Sequence, residues 1–89
     1  MNNISFSPKG WEDYLYWQTQ DKKTLKRINI LLQDLCKNGN NSSLGKTELL
    51  KGNLSGFYSK RIDEKNRLVY KIKDSEIEVI QCRSHYLEK

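Results

Sequence analysis

The chain contains few of the residue types on which many enzymes depend. Its 89 residues include one histidine, His85, and two cysteines, Cys36 and Cys82. These three potential ligands are too few and too scattered for a usual zinc site. The acidic residues form no cluster typical of calcium or magnesium binding, and no glycine-rich phosphate loop or Gly-x-Ser-x-Gly motif is present. We therefore expect neither a metal nor a cofactor.

Long apolar stretches are also missing. No apolar run approaches the roughly 20 residues that a membrane-spanning helix needs, and no basic segment followed by an apolar one begins the chain. We therefore expect a cytoplasmic protein with no membrane partner. With 36% apolar residues, residues 1–89 suit a single domain with a modest core and a function on an open surface. The two cysteines fall on apolar positions, which favours buried free thiols over a disulfide.

Positive charge is concentrated in one part of the chain. The net charge is +5; residues 46–71 contribute +4, residues 1–45 contribute +2 and residues 72–89 contribute −1. Such a concentration is typical of a protein that binds a polyanion, with nucleic acid as the first candidate and an acidic protein as the second.

The same basic segment predicts a β-hairpin. Two runs rich in aromatic and β-branched residues, 57–62 and 67–72, flank the polar cluster 63–66. One register collects the large apolar side chains on a single face: Tyr58, Ile62, Leu68, Tyr70 and Ile72. That register places Arg61, Arg67 and Lys71 together on the opposite face. An ordinary solvated face carrying basic residues is the alternative.

Two helices are predicted before the hairpin. Ser7 and Pro8 suit the first turn of one helix, and its apolar stripe is predicted from residues at helical spacing: Trp11, Tyr14, Leu15 and Gln18. Asp21 suits the cap of a second helix, which ends near Gly39. With strands near residues 4–6 and 77–82, the order is βααβββ. We expect an α+β fold in which a helical hairpin packs on one face of a twisted, antiparallel-type sheet.

The remaining reactive groups suit cleavage of a phosphodiester without a metal. Glu48 is a carboxylate in a basic neighbourhood, His85 is the one imidazole, and Arg61 and Arg67 share a strand face. A general base takes the 2′-hydroxyl proton, guanidinium groups stabilise the charge on the phosphorane, and a general acid protonates the leaving 5′-oxygen. Because the 2′-hydroxyl is the nucleophile, the substrate would be RNA.

Each of these residues also has a simpler interpretation. Glu48 could be a solvated loop residue paired with a nearby lysine, and His85 could lie in a frayed tail. Arg67 could simply form an ion pair with the acidic residues just before it. Tyr86 could close the edge of the core or stack on a base. Lys51 and Lys60 could contribute only to solubility and to the positive field.

Several blocks of the sequence resemble the YoeB/Txe toxins of the RelE superfamily. The blocks are residues 11–18, 21–23, 50–62, 67–70 and 82–86. They occur in order and cover nearly the whole chain apart from the loop at 39–46. The resemblance implies a ribosome-dependent endoribonuclease, the toxin of a type II toxin–antitoxin pair, that cleaves messenger RNA in the ribosomal A site.

The resemblance also implies roles and partners. Glu48 would be the general base, His85 the general acid and Arg67 the residue that stabilises the transition-state phosphate. Substrate contacts would come from Lys51, Arg61 and Tyr86. The expected partners are the ribosome, messenger RNA and an acidic, partly disordered antitoxin similar to YefM, and a homodimer is allowed. Two alternatives remain: a non-catalytic regulator of the same fold that binds RNA or antitoxin, and a gyrase-directed toxin of the same superfamily.

Overall fold

A computed structural model describes residues 2–85, in which two helices pack on one face of a five-stranded sheet. In chain order the elements are β1 Asn3–Phe6, α1 Pro8–Gln20, α2 Lys22–Asn38, β2 Glu48–Leu49, β3 Tyr58–Arg61, β4 Arg67–Lys73 and β5 Glu76–Gln81. Two short 3-10 helices, Gly39–Asn41 and Gly52–Leu54, lie in the connections. The predicted α+β class and helical hairpin are confirmed. The structure adds the two-residue strand β2 to the predicted order.

The strands lie in the order β1-β5-β4-β3-β2. Neighbours from β2 to β5 are antiparallel, whereas β1 runs parallel to β5, with Ile4 opposite Ile77. The sheet is therefore mixed rather than wholly antiparallel. Strands β1 and β5 are far apart in sequence, so no tight turn between them imposes an antiparallel pairing.

Local capping explains where the helices begin and end. The Ser7 hydroxyl accepts a hydrogen bond from the Gly10 N–H at 3.0 Å, and Pro8 occupies the first turn of α1. The Asp21 carboxylate accepts from the Thr24 N–H at 3.4 Å at the start of α2. Helix α2 ends at Gly39, whose φ of 53° favours glycine. The caps predicted from the sequence are confirmed.

The predicted apolar stripe of α1 is wrong in part. Trp11 and Leu15 are 48% and 44% exposed, whereas Gly10, Asp13 and Trp17 are buried. The reason is the close approach of α1 to β5, because a Cβ at position 10 would lie 2.4 Å from the carbonyl oxygen of a residue in β5. The helix therefore contacts the sheet through its glycine, and the bulky Trp11 is turned away from the core.

Asp13 is buried because it has partners for its carboxylate. One oxygen accepts the Cys82 N–H at 3.1 Å and the other accepts from the Lys9 ammonium at 2.7 Å. Trp17 donates its indole N–H to the Cys82 carbonyl at 2.8 Å. Helix α1 is thereby fixed to the chain just after β5, where the segment carrying His85 begins.

The core lies between the helices and one face of the sheet. Its buried apolar residues are Trp17, Ile28, Leu31, Leu35, Ile62, Leu68, Tyr70, Ile77, Val79 and Cys82. Cys82 is buried, Cys36 is half-buried, and both are free thiols. No helix within residues 2–85 has the length and apolar character to cross a membrane.

The predicted register of the hairpin is confirmed. Tyr58 lies opposite Tyr70 and their rings stack with centroids 5.6 Å apart, while Arg61 lies opposite Arg67. Residues paired across two strands share a face, so the tyrosines face the helices and the arginines face away. The sheet therefore presents the guanidinium groups on its open face.

Candidate active site

A cleft of about 200 Å³ opens on the face of the sheet that carries the arginines. Its lining residues are Lys46, Glu48, Ser59, Arg61, Arg67 and His85. The structure thus brings together Glu48, Arg61, Arg67 and His85, as the sequence predicted. Lys51 is exposed beside the second 3-10 helix and does not line the cleft. Tyr86 lies outside the described residues, and its role stays a prediction.

Strand pairing places four of these side chains on one face. Glu48 in β2 lies opposite Ser59 in β3, and Arg61, two residues further along β3, lies opposite Arg67 in β4. Alternate residues of a strand point to the same side, so all four side chains face the cleft. Two like charges directly opposite each other destabilise a sheet. An anion bound between Arg61 and Arg67 would relieve this repulsion.

The guanidinium of Arg67 is held by the main chain of the preceding loop. Its Nη1 donates to the carbonyl oxygens of Asp63 at 2.5 Å, Glu64 at 3.3 Å and Asn66 at 3.1 Å. The Asp63 carboxylate accepts the N–H groups of Lys65 and Asn66, each at 2.8 Å. The Arg67 guanidinium and the Asp63 carboxylate therefore both help to close the hairpin loop. These hydrogen bonds fix the direction in which the Arg67 side chain enters the cleft.

The loop before Glu48 is held by a buried lysine. Lys60 is 0% exposed, and its ammonium donates to the Leu44 carbonyl at 2.7 Å and to the Thr47 hydroxyl at 2.6 Å. Burial lowers the pKa of Lys60 from its ordinary value, while the nearby Asp34 carboxylate opposes that shift. The interpretation of Lys60 as a surface charge is therefore wrong, because it joins β3 to the residue directly before Glu48.

The same loop is fixed to its surroundings at two further points. The Arg61 N–H donates to the Gly45 carbonyl at 2.6 Å. Gly45 has a φ of 83°, and a Cβ there would lie 2.9 Å from Leu31 Cδ2. The Ser42 hydroxyl donates to Asp34, and this hydrogen bond lowers the pKa of that carboxyl group. Glu48 thus follows a loop tied to both α2 and β3.

The segment that carries His85 is held rather than frayed. The Arg67 N–H donates to the Ser84 carbonyl at 2.9 Å, and the Ser84 N–H donates to Asn66 Oδ1 at 2.6 Å. The His85 carbonyl accepts a hydrogen bond from the Gln81 side chain at 2.6 Å. These contacts bring the histidine back to the start of β4, beside Arg67.

Sequence reasoning did not single out Lys46 or Ser59 as residues of the site. Ser59 could have been found, because strand alternation places it on the same face as Arg61. Lys46 has a φ of 52° in an irregular turn, so no periodic pattern places it in the cleft. Its positive charge is the one feature of the sequence that could have pointed to it. Within residues 2–85, no three His, Cys, Asp or Glu side chains are grouped so that they could hold a metal ion.

Comparison with known proteins shows the family. Residues 6–86 match the family described as "YoeB-like toxin of bacterial type II toxin-antitoxin system". The chain is 47% identical over 83 residues to Toxin YoeB of Streptomyces coelicolor, across 93% of this chain and 98% of that protein.

Solved structures agree with the sequence match. A chain of the heterotetrameric YoeB–YefM toxin–antitoxin complex from Staphylococcus aureus superposes with a TM-score of 0.85 at 48% identity, across 97% of this chain and 99% of that one. The YoeB dimer from the same organism gives a TM-score of 0.85 at 48% identity, across 96% and 98% of the two chains. The chain therefore belongs to the family of YoeB-like toxins of bacterial type II toxin–antitoxin systems and has their RelE-like fold.

Proposed function

We propose that this chain is a ribosome-dependent endoribonuclease that cleaves messenger RNA in the ribosomal A site. The observation that supports it is the content of one cleft, in which a carboxylate, an imidazole and two guanidinium groups face the same space. A base, an acid and cationic stabilisers of a phosphorane are the groups that cleavage of RNA through its 2′-hydroxyl needs.

The proposed reaction uses each group once. Glu48 accepts the proton of the 2′-hydroxyl, and the 2′-oxygen attacks phosphorus. The bond from phosphorus to the 5′-oxygen breaks, and His85 donates a proton to that oxygen. The products are a 2′,3′-cyclic phosphate and a 5′-hydroxyl, and the mechanism needs neither metal nor cofactor.

Arg61 and Arg67 act on the charge that develops during this step. The phosphorane carries more negative charge on its oxygens than the phosphodiester does, so the paired guanidinium groups bind it more tightly than the ground state. Lys46, which lines the same cleft, adds to the positive potential. Lys51 is proposed to assist in binding the phosphate, and Tyr86 to help shape the site and hold the substrate base.

The openness of the cleft supports a role for the ribosome. Glu48, Arg61 and His85 are all exposed, so the chain supplies reactive groups but few walls that would align a flexible RNA. A ribosome holds its A-site codon as a fixed single strand and would supply that alignment, which contributes strongly to rate. Equal rates on free RNA and on ribosome-bound RNA would contradict this part of the proposal.

An acidic antitoxin is the proposed inhibitor. The toxin in the Staphylococcus aureus structure is bound to YefM, and residues 46–71 of this chain carry a charge of +4. A disordered acidic segment that folds over this surface would cover the cleft.

Because His85 is the one histidine, diethyl pyrocarbonate should modify it in the free toxin and not in the complex. Equal modification in both would contradict the proposal. A homodimer and a cytoplasmic location are likewise proposed.

The function is tested by primer extension on a defined messenger RNA in a reconstituted translation reaction. Wild type should cut at A-site codons only when ribosomes are present. Glu48→Gln and His85→Gln should each slow cleavage by about 10²- to 10⁴-fold, the usual contribution of a general acid or base. Arg67→Ala should slow it by about 10²- to 10³-fold.

Glu12→Gln, an exposed change on α1, is the matched control and should cleave like wild type. Loss of cleavage in Arg67→Ala and His85→Gln but not in Glu48→Gln would remove Glu48 from the mechanism. An absence of cleavage by wild type with ribosomes would overturn the proposal and favour the regulatory or gyrase-directed alternatives.

A further inference from the structure

We propose that Gln81 is the positioning residue that sets the place of His85 in the cleft. The role of His85 as general acid rests on the proposed function, whereas the contact between the two residues does not. Gln81 is the last residue of β5 and is 1% exposed. A buried glutamine at the end of a central strand needs a physical reason, because burying an amide is unfavourable unless it is hydrogen-bonded.

A break in the strand register turns Gln81 toward the open face. Tyr70 pairs with Val79, but the preceding residue, Val69, pairs with Gln81, so Ile80 is an extra residue in β5. Simple alternation would place Gln81 on the same face as Val79, toward the helices. The bulge instead places it on the face of Val69, which is the face of the cleft.

From that position the Gln81 amide holds the chain that follows. Its Nε2 donates to the His85 carbonyl at 2.6 Å and to the Arg83 carbonyl at 3.1 Å. Between those two acceptors lies Ser84, whose φ of 64° is in the left-handed region. A non-glycine residue in that region is strained. The two hydrogen bonds offset this strain and keep the chain folded back on the end of β5.

Neighbouring contacts fix the other residues of this turn. The guanidinium of Arg83 lies 3.6 Å from the ring centroid of Tyr16, and Ser84 is bonded on both sides to the start of β4. Gln81 supplies the hydrogen bond that reaches the main chain of His85 itself. Without it, the turn would stay anchored at Arg83 and Ser84, but the His85 carbonyl would lose this hydrogen bond to the end of β5.

The amide oxygen of Gln81 argues against a role for this residue in stability alone. Gln81 Oε1 is buried and has no hydrogen-bond partner within residues 2–85. An unpaired buried oxygen is unfavourable, so an apolar side chain of the same length would suit this buried position better. The donor group of Gln81 is therefore the feature that the site uses, and Gln81→Met is the informative substitution.

The kinetic test compares two leaving groups. Gln81→Met keeps the length of the side chain and removes the donor. On ordinary messenger RNA in the ribosomal complex, kcat should fall by about 10- to 100-fold with KM unchanged, the usual effect of a small misplacement. On RNA with a 5′-bridging sulfur at the scissile phosphate, the leaving thiolate needs no proton, so Gln81→Met should cleave as fast as wild type.

Gln33→Met, an exposed change on α2, is the matched control and should behave as wild type on both substrates. If Gln81→Met fails to fold, as judged by circular dichroism, Gln81→Ala replaces it. An equal loss on the oxygen and sulfur substrates would overturn the proposal, because a general loss of fold or binding would affect both. An unchanged kcat on ordinary RNA would also overturn it.

A structural readout separates this inference from the proposed function. His85 gives the one histidine Cε1–H resonance in the NMR spectrum, so it needs no assignment by mutation. In Gln81→Met that resonance should move toward its value in an unstructured peptide, while resonances of the sheet keep their positions. If wild type does not cleave RNA, the proposed function fails and this comparison still decides the contact. An unmoved resonance would overturn the proposal.

Discussion

Replacing Lys60 tests whether a buried ammonium holds the loop before Glu48. In Lys60→Met the side chain keeps its approximate length but loses the two hydrogen bonds to Leu44 and Thr47, at 2.7 and 2.6 Å. A hydrogen bond from a charged group stabilises by about 1.5–3 kcal/mol. Burying the ammonium costs several kcal/mol, which the methionine avoids. We expect a net loss of about 1–3 kcal/mol in the free energy of unfolding at pH 7, since two partly buried acceptors lose their donor.

The pH dependence of this loss has a definite sign. Burial places the pKa of Lys60 in the folded chain below its ordinary value of 10.5. Between those two values the unfolded chain binds more protons than the folded chain, so the stability of the wild type rises with pH. A neutral amine still donates to both acceptors. The stability gap between wild type and Lys60→Met should therefore widen as the pH rises through the lowered pKa of Lys60 toward 10.5.

Urea unfolding followed by tryptophan fluorescence measures both effects. Lys26→Met, an exposed change on α2, is the control and should stay within about 0.5 kcal/mol of wild type. A Lys60→Met variant as stable as wild type at pH 7, with a gap that does not grow with pH, would refute the reasoning.

Two further predictions concern the junction of α1 and β5. Gly10→Ala should destabilise the chain by about 1–3 kcal/mol, because its Cβ would lie 2.4 Å from the Val79 carbonyl oxygen; an unchanged urea midpoint would contradict the close approach. The Cys82 thiol is 0% exposed, and burial raises its pKa to about 12. At pH 8 a thiol reagent such as DTNB should therefore modify Cys36 in the native chain and Cys82 only after unfolding, and rapid modification of both would contradict the burial.

The arginine face of the hairpin could be predicted because strand alternation is a strong constraint. A register that buried Tyr58, Leu68 and Tyr70 could not avoid bringing Arg61 and Arg67 together on the other face. Glu48 was identified by its basic neighbourhood and by resemblance, since a two-residue strand has no periodicity to detect. Its pairing with Ser59 follows from contacts distant in sequence.

The parts that sequence reasoning missed involve buried polar groups. Lys60 alternates with apolar residues and yet carries a charge, so its sequence pattern indicates a surface residue. Its burial depends on two acceptors, Leu44 and Thr47, that no local pattern marks. Asp13 was not expected on the buried face of α1 for the same reason. The orientation of Gln81 depends on one extra residue in β5, and a bulge of this kind leaves no mark in the alternation of hydrophobic residues.

The central claim is that the cleft promotes attack by the 2′-hydroxyl of an A-site nucleotide. The most direct test uses a messenger RNA with a single 2′-deoxy nucleotide on the 5′ side of the scissile phosphate, programmed into ribosomes and treated with the wild-type chain. We expect the all-ribose RNA to be cut to a 2′,3′-cyclic phosphate and a 5′-hydroxyl, and the deoxy-substituted RNA to stay intact at that site. Cleavage of the deoxy-substituted RNA at the same phosphate would contradict the account.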